Sequence, residues 1–160
     1  MEDKNLIIKL KSSDGQIFEI KEKCLLRSNY YKQMKDISNL DEEMPLKEVD
    51  AKSLIKIIEY LNHYENEEPM EIPKPLPGPD LKSILSEWDY NYIMLFTLNE
   101  TIDLVNSANF LDIKKLVDLA SARLAFEMIN CTIEEGREKF GIVCNMTEEE
   151  MEEANKYPLD

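Results

Sequence analysis

The sequence predicts an α+β protein in which a small sheet with helices comes first and an all-helical region follows. Three observations predict it. Alternating apolar residues around an Asp-Gly turn mark a β-hairpin near the N-terminus. Apolar residues at helical spacing dominate beyond residue 86. Between them, five of the seven prolines, Pro69, Pro73, Pro75, Pro77 and Pro79, fall within eleven residues and break the chain into two regions.

In the hairpin, Leu6, Ile8 and Leu10 alternate with other residues, Ser12-Ser13-Asp14-Gly15 reverses the chain, and Ile17 to Ile20 pairs back. Glu22 to Lys35 reads as one helix through Cys24, Leu25 and Tyr31. Met44-Pro45-Leu46 is short and proline-marked, which suits an edge strand. Asp50 is placed to cap the next helix, where Leu54, Ile57, Ile58 and Leu61 take the spacing i, i+3, i+4, i+7 and define one buried face. Residues 65–86 form a solvated surface linker, partly extended, because fixed proline angles and missing amide donors exclude helix and central strand. Trp88-Asp89 begins a short helix with the indole as a packing anchor.

The stretch Leu104-Val-Asn-Ser-Ala-Asn-Phe-Leu-Asp-Ile-Lys-Lys-Leu-Val117 joins two helices through a tight polar corner. On the second helix, to Ile129, the residues Ile113, Leu116 and Ala120 form one inward stripe, and Val117, Leu124 and Met128 form another beside it. Both stripes do not fit one narrow groove. Either a second molecule covers the spare face or neighbouring C-terminal helices do. Thr132-Ile-Glu-Glu135 and Thr147-Glu-Glu-Glu150 are capping boxes that start two further helices. The first carries Phe140 and ends near Gly141; the second, Glu148 to about Lys156, has little to bury before Tyr157-Pro158-Leu159-Asp160 ends it.

The chemistry-bearing residues are sparse. A formal charge of -14 repels phosphate backbones and anionic lipids, so nucleic acid and membranes are not expected partners. Apolar runs are only a few residues long and Met1-Glu-Asp-Lys-Asn does not resemble a signal peptide, which predicts a cytoplasmic and nuclear protein. Cys24, Cys131 and Cys144 are odd in number and widely spaced, so they read as reduced thiols rather than a disulfide or zinc set. His63, the single histidine, ends an apolar helix with no nucleophile motif nearby and reads as a surface or capping residue. The four glycines form no phosphate loop, and the acidic runs Asp41-Glu42-Glu43 and Glu148 to Glu153 lack calcium-loop spacing and read as solvated faces. The reading is therefore of a non-enzyme without metal or cofactor.

Five ordered segments carry a resemblance: Ile8-Lys-Leu-Lys-Ser-Ser-Asp-Gly-Gln-Ile-Phe-Glu-Ile20, Pro45-Leu46 with the helix from Ala51, Trp88-Asp89, Ser107-Ala-Asn-Phe-Leu-Asp-Ile-Lys-Lys-Leu116, and Thr132-Ile-Glu-Glu-Gly-Arg-Glu-Lys-Phe-Gly-Ile142. From about residue 6 to about 153 the chain resembles the S-phase-kinase-associated (Skp) adaptor family of Skp-cullin-F-box ubiquitin ligases. The resemblance implies a BTB/POZ-type α+β domain, with residues 1–64 its N-terminal part, 65–86 the linker and 87–112 its remaining helices. It implies a helical F-box-binding extension over 113–160. It also implies an adaptor that bridges F-box proteins to cullin, and it leaves open a homodimer when no F-box protein is bound. Asn109 and Phe110 match the family's Asn-Tyr pair on the cullin side. The family's F-box surface maps onto Ile102, Val105, Val117, Ser121, Leu124, Met128, Phe140 and Ile142.

Departures from the family pattern are Ile133 for a proline, Gly136 for an isoleucine, the amide of Asn106 at an apolar position, and the lack of a Trp-Cys ending. Met146 directly precedes Thr147, so the family's proline hydroxylation is not expected. An elongin-C-like adaptor shares the first domain but ends near Asp112, which the segment Thr132 to Glu153 argues against. A BTB-type homo-oligomerising scaffold remains the other reading.

Overall fold

The computed structural model describes residues 6–38, 43–141, 147 and 149. Strands β1 (Ile7–Lys11) and β2 (Ile17–Lys21) form the expected antiparallel hairpin, with Ile8 opposite Ile20 and Leu10 opposite Phe18. Ile8, Leu10 and Ile20 are buried; Leu6 and Ile17 face solvent. In the turn, Gly15 has φ 86°, which a side chain would strain. Ser12 Oγ donates to Asp14 Oδ1 at 2.5 Å, and the same carboxylate accepts from the Ala51 amide at 3.0 Å. The Ser12 hydrogen bond holds the Asp14 carboxyl below its ordinary value.

The expected single helix Glu22 to Lys35 is two: α1 (Glu22–Leu25) and α2 (Asn29–Ile37). Ser28 interrupts it. Its backbone is extended, its hydroxyl accepts from the Tyr31 amide, and the same hydroxyl donates to the Leu111 carbonyl at 2.5 Å. A capping serine satisfies open amides better than a continued helix would, and the tie to Leu111 adds a long-range reason to stop there. Glu22 still faces Lys35 across the break. That hydrogen bond holds its carboxyl low against the opposing effect of burial, with help from the Tyr31 hydroxyl. Ser28→Ala should destabilise the protein by about 2 kcal/mol, since it removes a cap and one of the two hydrogen bonds to the buried Leu111 carbonyl. In a chain of this size that lowers the thermal midpoint by roughly 4–8 °C, readable by calorimetry.

Strand β3 (Glu43–Pro45) lies parallel to β1 at the sheet edge, in the order β2-β1-β3. Asp50 caps α3 (Ala51–His63) by accepting from the Ser53 amide at 2.8 Å. Leu54, Ile57 and Leu61 are buried as their spacing predicts, and Tyr60 joins them. Asp41 and Glu42 lie outside the described residues.

The proline-rich stretch is more ordered than a solvated linker. It contains a short helix, α4 (Leu81–Ile84), capped by Asp80, and Ile72, Leu76 and Leu81 pack on the core. Lys115 reaches Glu71 and Lys74 reaches Asp118, so the segment straps along a later helix. The prolines do forbid a long helix; the apolar residues between them supply the packing that proline counting overlooks. Helix α5 (Glu87–Met94), capped by Ser86, starts one residue before Trp88. Trp88 packs as an anchor, with centroids 4.9 Å from Tyr92 and 3.7 Å from the exposed His63, which it meets face to face. Beneath it the Tyr64 hydroxyl donates to the buried Asp89 carboxylate at 2.7 Å.

Helix α6 (Leu98–Phe110) opens on a Thr97–Glu100 capping box that was also legible as Thr-x-x-Glu. Helix α7 (Lys114–Ile129) turns back along it, and α8 (Ile133–Phe140) follows the expected Thr132–Glu135 box to end at Gly141, φ 64°. Leu104, Leu111, Leu116 and Ala120 belong to the same buried cluster as Leu10, Leu54 and Ile57, so α6 and α7 share the core of the sheet unit. Of the helix expected over Glu148 to Lys156 only Glu149 is described, and it is helical; the tail Tyr157 to Asp160, Met146 and Cys144 lie outside the described residues. Cys24 is buried and Cys131 half-buried, both free thiols. Among the described residues no group of His, Cys, Asp and Glu could hold a metal ion, and no helix is long and apolar enough to cross a membrane.

Candidate functional site

Two surfaces on the α6–α7 pair collect the residues singled out by sequence. The first is the corner between the helices. Asp112 sits at φ 51°, and the Ile113 amide donates back to the Ala108 carbonyl at 3.0 Å, a left-handed helix ending that fixes where α7 sets off. The N-terminus of α2 abuts this ending. The Asn29 amide donates to the Asp112 carbonyl and the Tyr30 amide to the Leu111 carbonyl, at 3.2 and 3.3 Å. Open amides of one helix thus satisfy open carbonyls of another.

Asn109 and Phe110 stand on this corner. Asn109 is exposed, while the Phe110 ring is half-buried against Tyr30, centroids 4.8 Å apart and tilted by 42°. Tyr30 therefore belongs to the same surface, although sequence reasoning did not select it. No local signal could have done so, because its place depends on the contact between α2 and the corner.

The second surface is the flank of α7 turned from the core. Leu116, Leu119, Ala120 and Arg123 face inward. Val117, Leu124 and Met128 lie beside them, and their exposure rises along the helix: Val117 and Leu124 are half-buried and Met128 is 61% exposed. The spare stripe is therefore open towards the C-terminal end of α7 and partly covered at its start, where Val117 packs on the core. Ser121 is exposed on the same flank, and Ile102 and Val105 are half-buried on α6. Helix α8 returns against α6, and its half-buried Phe140 shares a groove with Met128. Ile142 lies outside the described residues. Sequence reasoning missed Ile133, 76% exposed, which extends this apolar surface, and Ile129, 57% exposed, which lines a neighbouring groove with Ile72 and Leu76 of the proline-rich segment. Both were visible as aliphatic residues at a helix end and a helix start.

An ionic chain fixes α8 on α7. Arg123 is buried; its Nη2 meets Glu127 at 2.9 Å and its Nη1 lies 2.8 Å from the Met94 sulfur of α5. Glu127 in turn binds Lys139 of α8 at 3.2 Å. Arg123 Nε is a buried side-chain donor without a hydrogen-bond partner among the described residues. Such an arrangement sets geometry more than it adds stability, because desolvation offsets most of the attraction. None of these surfaces assembles a nucleophile with a base. What they can do chemically is bind, through apolar contact on the α7 flank and mixed aromatic and amide contact at the corner.

Two family profiles match the chain: the Skp1 family tetramerisation domain over residues 6–66 and the Skp1 family dimerisation domain over 114–157. The chain is 33% identical to the S-phase kinase-associated protein 1 homolog of Tetrahymena thermophila over 153 residues, which cover 94% of this chain and 92% of that protein. It is 35% identical to the SKP1-like protein 4 of Arabidopsis thaliana, covering 99% of both chains. With the SKP1-like protein 1 of Oryza sativa subsp. japonica it shares 32% identity across 97% of this chain and 94% of the relative.

Proposed function

The chain belongs to the Skp1 family, and from that premise we propose that it is the non-catalytic adaptor of a cullin-based ubiquitin ligase, holding an F-box protein on the α7 flank and cullin at the α6–α7 corner. The observation that carries this reading is the apolar flank ending at Met128 and continued by Ile133 and Phe140. A monomer gains nothing from exposing it, and a helical partner would bury it. Interfaces of standard size bury about 1,600 Å², which a flank of α7 with α8 and part of α6 can supply.

The mechanism is positional. The adaptor makes and breaks no bond; it ties a substrate receptor and a ligase scaffold to one rigid body, so that substrate and charged ubiquitin meet at high effective concentration. Rigidity comes from the shared core and from the α2 amides locked onto the corner. Because the corner and the Met128 end occupy opposite ends of the sixteen-residue α7, the two partners can bind together. The net charge of -14 speeds association with basic partners without deciding affinity. Its place of action under this reading is the cytoplasm and nucleus.

The test is reconstitution from purified parts. On size-exclusion chromatography a recombinant F-box domain and a cullin N-terminal domain should co-elute only when this chain is added. A homodimer that an F-box domain does not dissociate would favour a self-assembling scaffold and reject the adaptor reading.

A further inference from the structure

Helix α8 buries none of its residues; a capping box closes its own N-terminus and the Glu127–Lys139 bridge links it to α7. Between it and the end of α7 lies a groove of about 310 Å³ lined chiefly by apolar atoms of Met128, Cys131, Ile133, Gly136 and Phe140, with Arg137 at its side. Gly136 is the unexplained member. It sits inside the helix, where glycine costs about 1 kcal/mol relative to alanine. Its backbone is not in the left-handed region, so no turn requires it, and a Cβ there would meet only the Cys131 sulfur at 3.4 Å, an ordinary contact. Neither local geometry nor internal packing demands the missing side chain. What the glycine does is leave the groove floor open towards a visitor.

We infer that this groove is a socket for one bulky aromatic side chain of the F-box partner, with a carboxylate beside it to meet Arg137, and that Gly136 sets the size it accepts. This rests on the adaptor reading and specifies the partner within it. The lining is continuous with the proposed F-box flank through Met128 and Phe140, and an open, largely apolar groove of this size favours a single large aromatic anchor over several small contacts. Arg137 forms no ion pair among the described residues, which leaves its charge for an acidic neighbour on the partner. The chain from Arg123 through Glu127 to Lys139 links the two walls of the socket.

The test is selection from a displayed F-box domain library in which the helix positions are randomised to Ala, Val, Leu, Phe and Trp. It is run against the full chain, Gly136→Ala and Gly136→Leu, each checked for native circular dichroism. The full chain should enrich Phe or Trp at one position, and Gly136→Leu should weaken those clones at least tenfold and enrich Ala there. Gly136→Ala should fall between, which keeps the result informative if the larger variant misfolds. Equal enrichment against all folded targets would overturn the socket while leaving the adaptor reading intact. Failure of any F-box clone to bind the native full chain would overturn both.

Discussion

Met128→Asp should weaken binding of an F-box domain roughly a hundredfold and leave the protein folded. In the free chain the side chain is 61% exposed, so a charge there meets water and costs within about 0.5 kcal/mol. In the complex the same carboxylate would be buried against apolar atoms without a partner. Truncating or charging a central anchor of an interface costs about 2–4 kcal/mol, and 2.7 kcal/mol is about a hundredfold in Kd. Leu124→Asp should abolish binding as well, but Leu124 is half-buried, so part of its effect would fall on stability. Isothermal titration of both variants, with thermal unfolding alongside, separates the two effects. Unchanged affinity in folded Met128→Asp would reject this face as the binding surface.

The second large effect is expected at the other end of α7. Asn109→Lys with Phe110→Lys should weaken cullin about fiftyfold while F-box affinity stays within twofold. Asn109 is exposed and its replacement disturbs only a contact surface. Phe110 also packs on Tyr30, so its loss removes an aromatic contact of about 1 kcal/mol from the monomer, which the remaining ties between α2 and the corner can absorb. Surface-plasmon measurements with a cullin N-terminal domain and, separately, an F-box domain read both affinities. Loss of both partners at once would mean unfolding instead of selective damage.

Features written in local chemistry were legible before the structure. The hairpin needs only alternation and Asp14-Gly15, the α3 face needs only the spacing from Leu54 to Leu61, and the Asp50 cap and the Thr132–Glu135 box are spelled out in a few residues. The Thr97–Glu100 box is spelled out just as locally. What escaped depends on distant partners. Ser28 divides a segment of acceptable helical pattern because its hydroxyl reaches Leu111, 83 residues away. The proline-rich stretch is strapped down by Lys115 and Lys74, residues whose pairing with Glu71 and Asp118 no local pattern announces.

The site divides in the same way. The double stripe of α7 follows from helical geometry alone, whereas its graded exposure, from half-buried Val117 to open Met128, reflects how α7 lies on the core. Arg123 occupies a position that spacing assigns to the inward face and reads as a misfit in sequence. Its meaning emerges only with Glu127, Lys139 and Met94 in place. Gly136 reads in sequence only as a departure from a family isoleucine, and its place on an apolar groove beside Cys131 depends on how α8 meets the end of α7.

Methyl-labelled NMR titration of the full chain with a recombinant F-box domain is the most direct check on the α7 flank as a receptor for another polypeptide. The account predicts shifts concentrated on the methyls of Leu124, Met128 and Ile133, with Ile8, Leu54 and Ile57 of the core unmoved. Saturating F-box domain that leaves those three methyls in place, or that moves instead the solvent-facing Ile7 and Ile17 of the sheet, would contradict it.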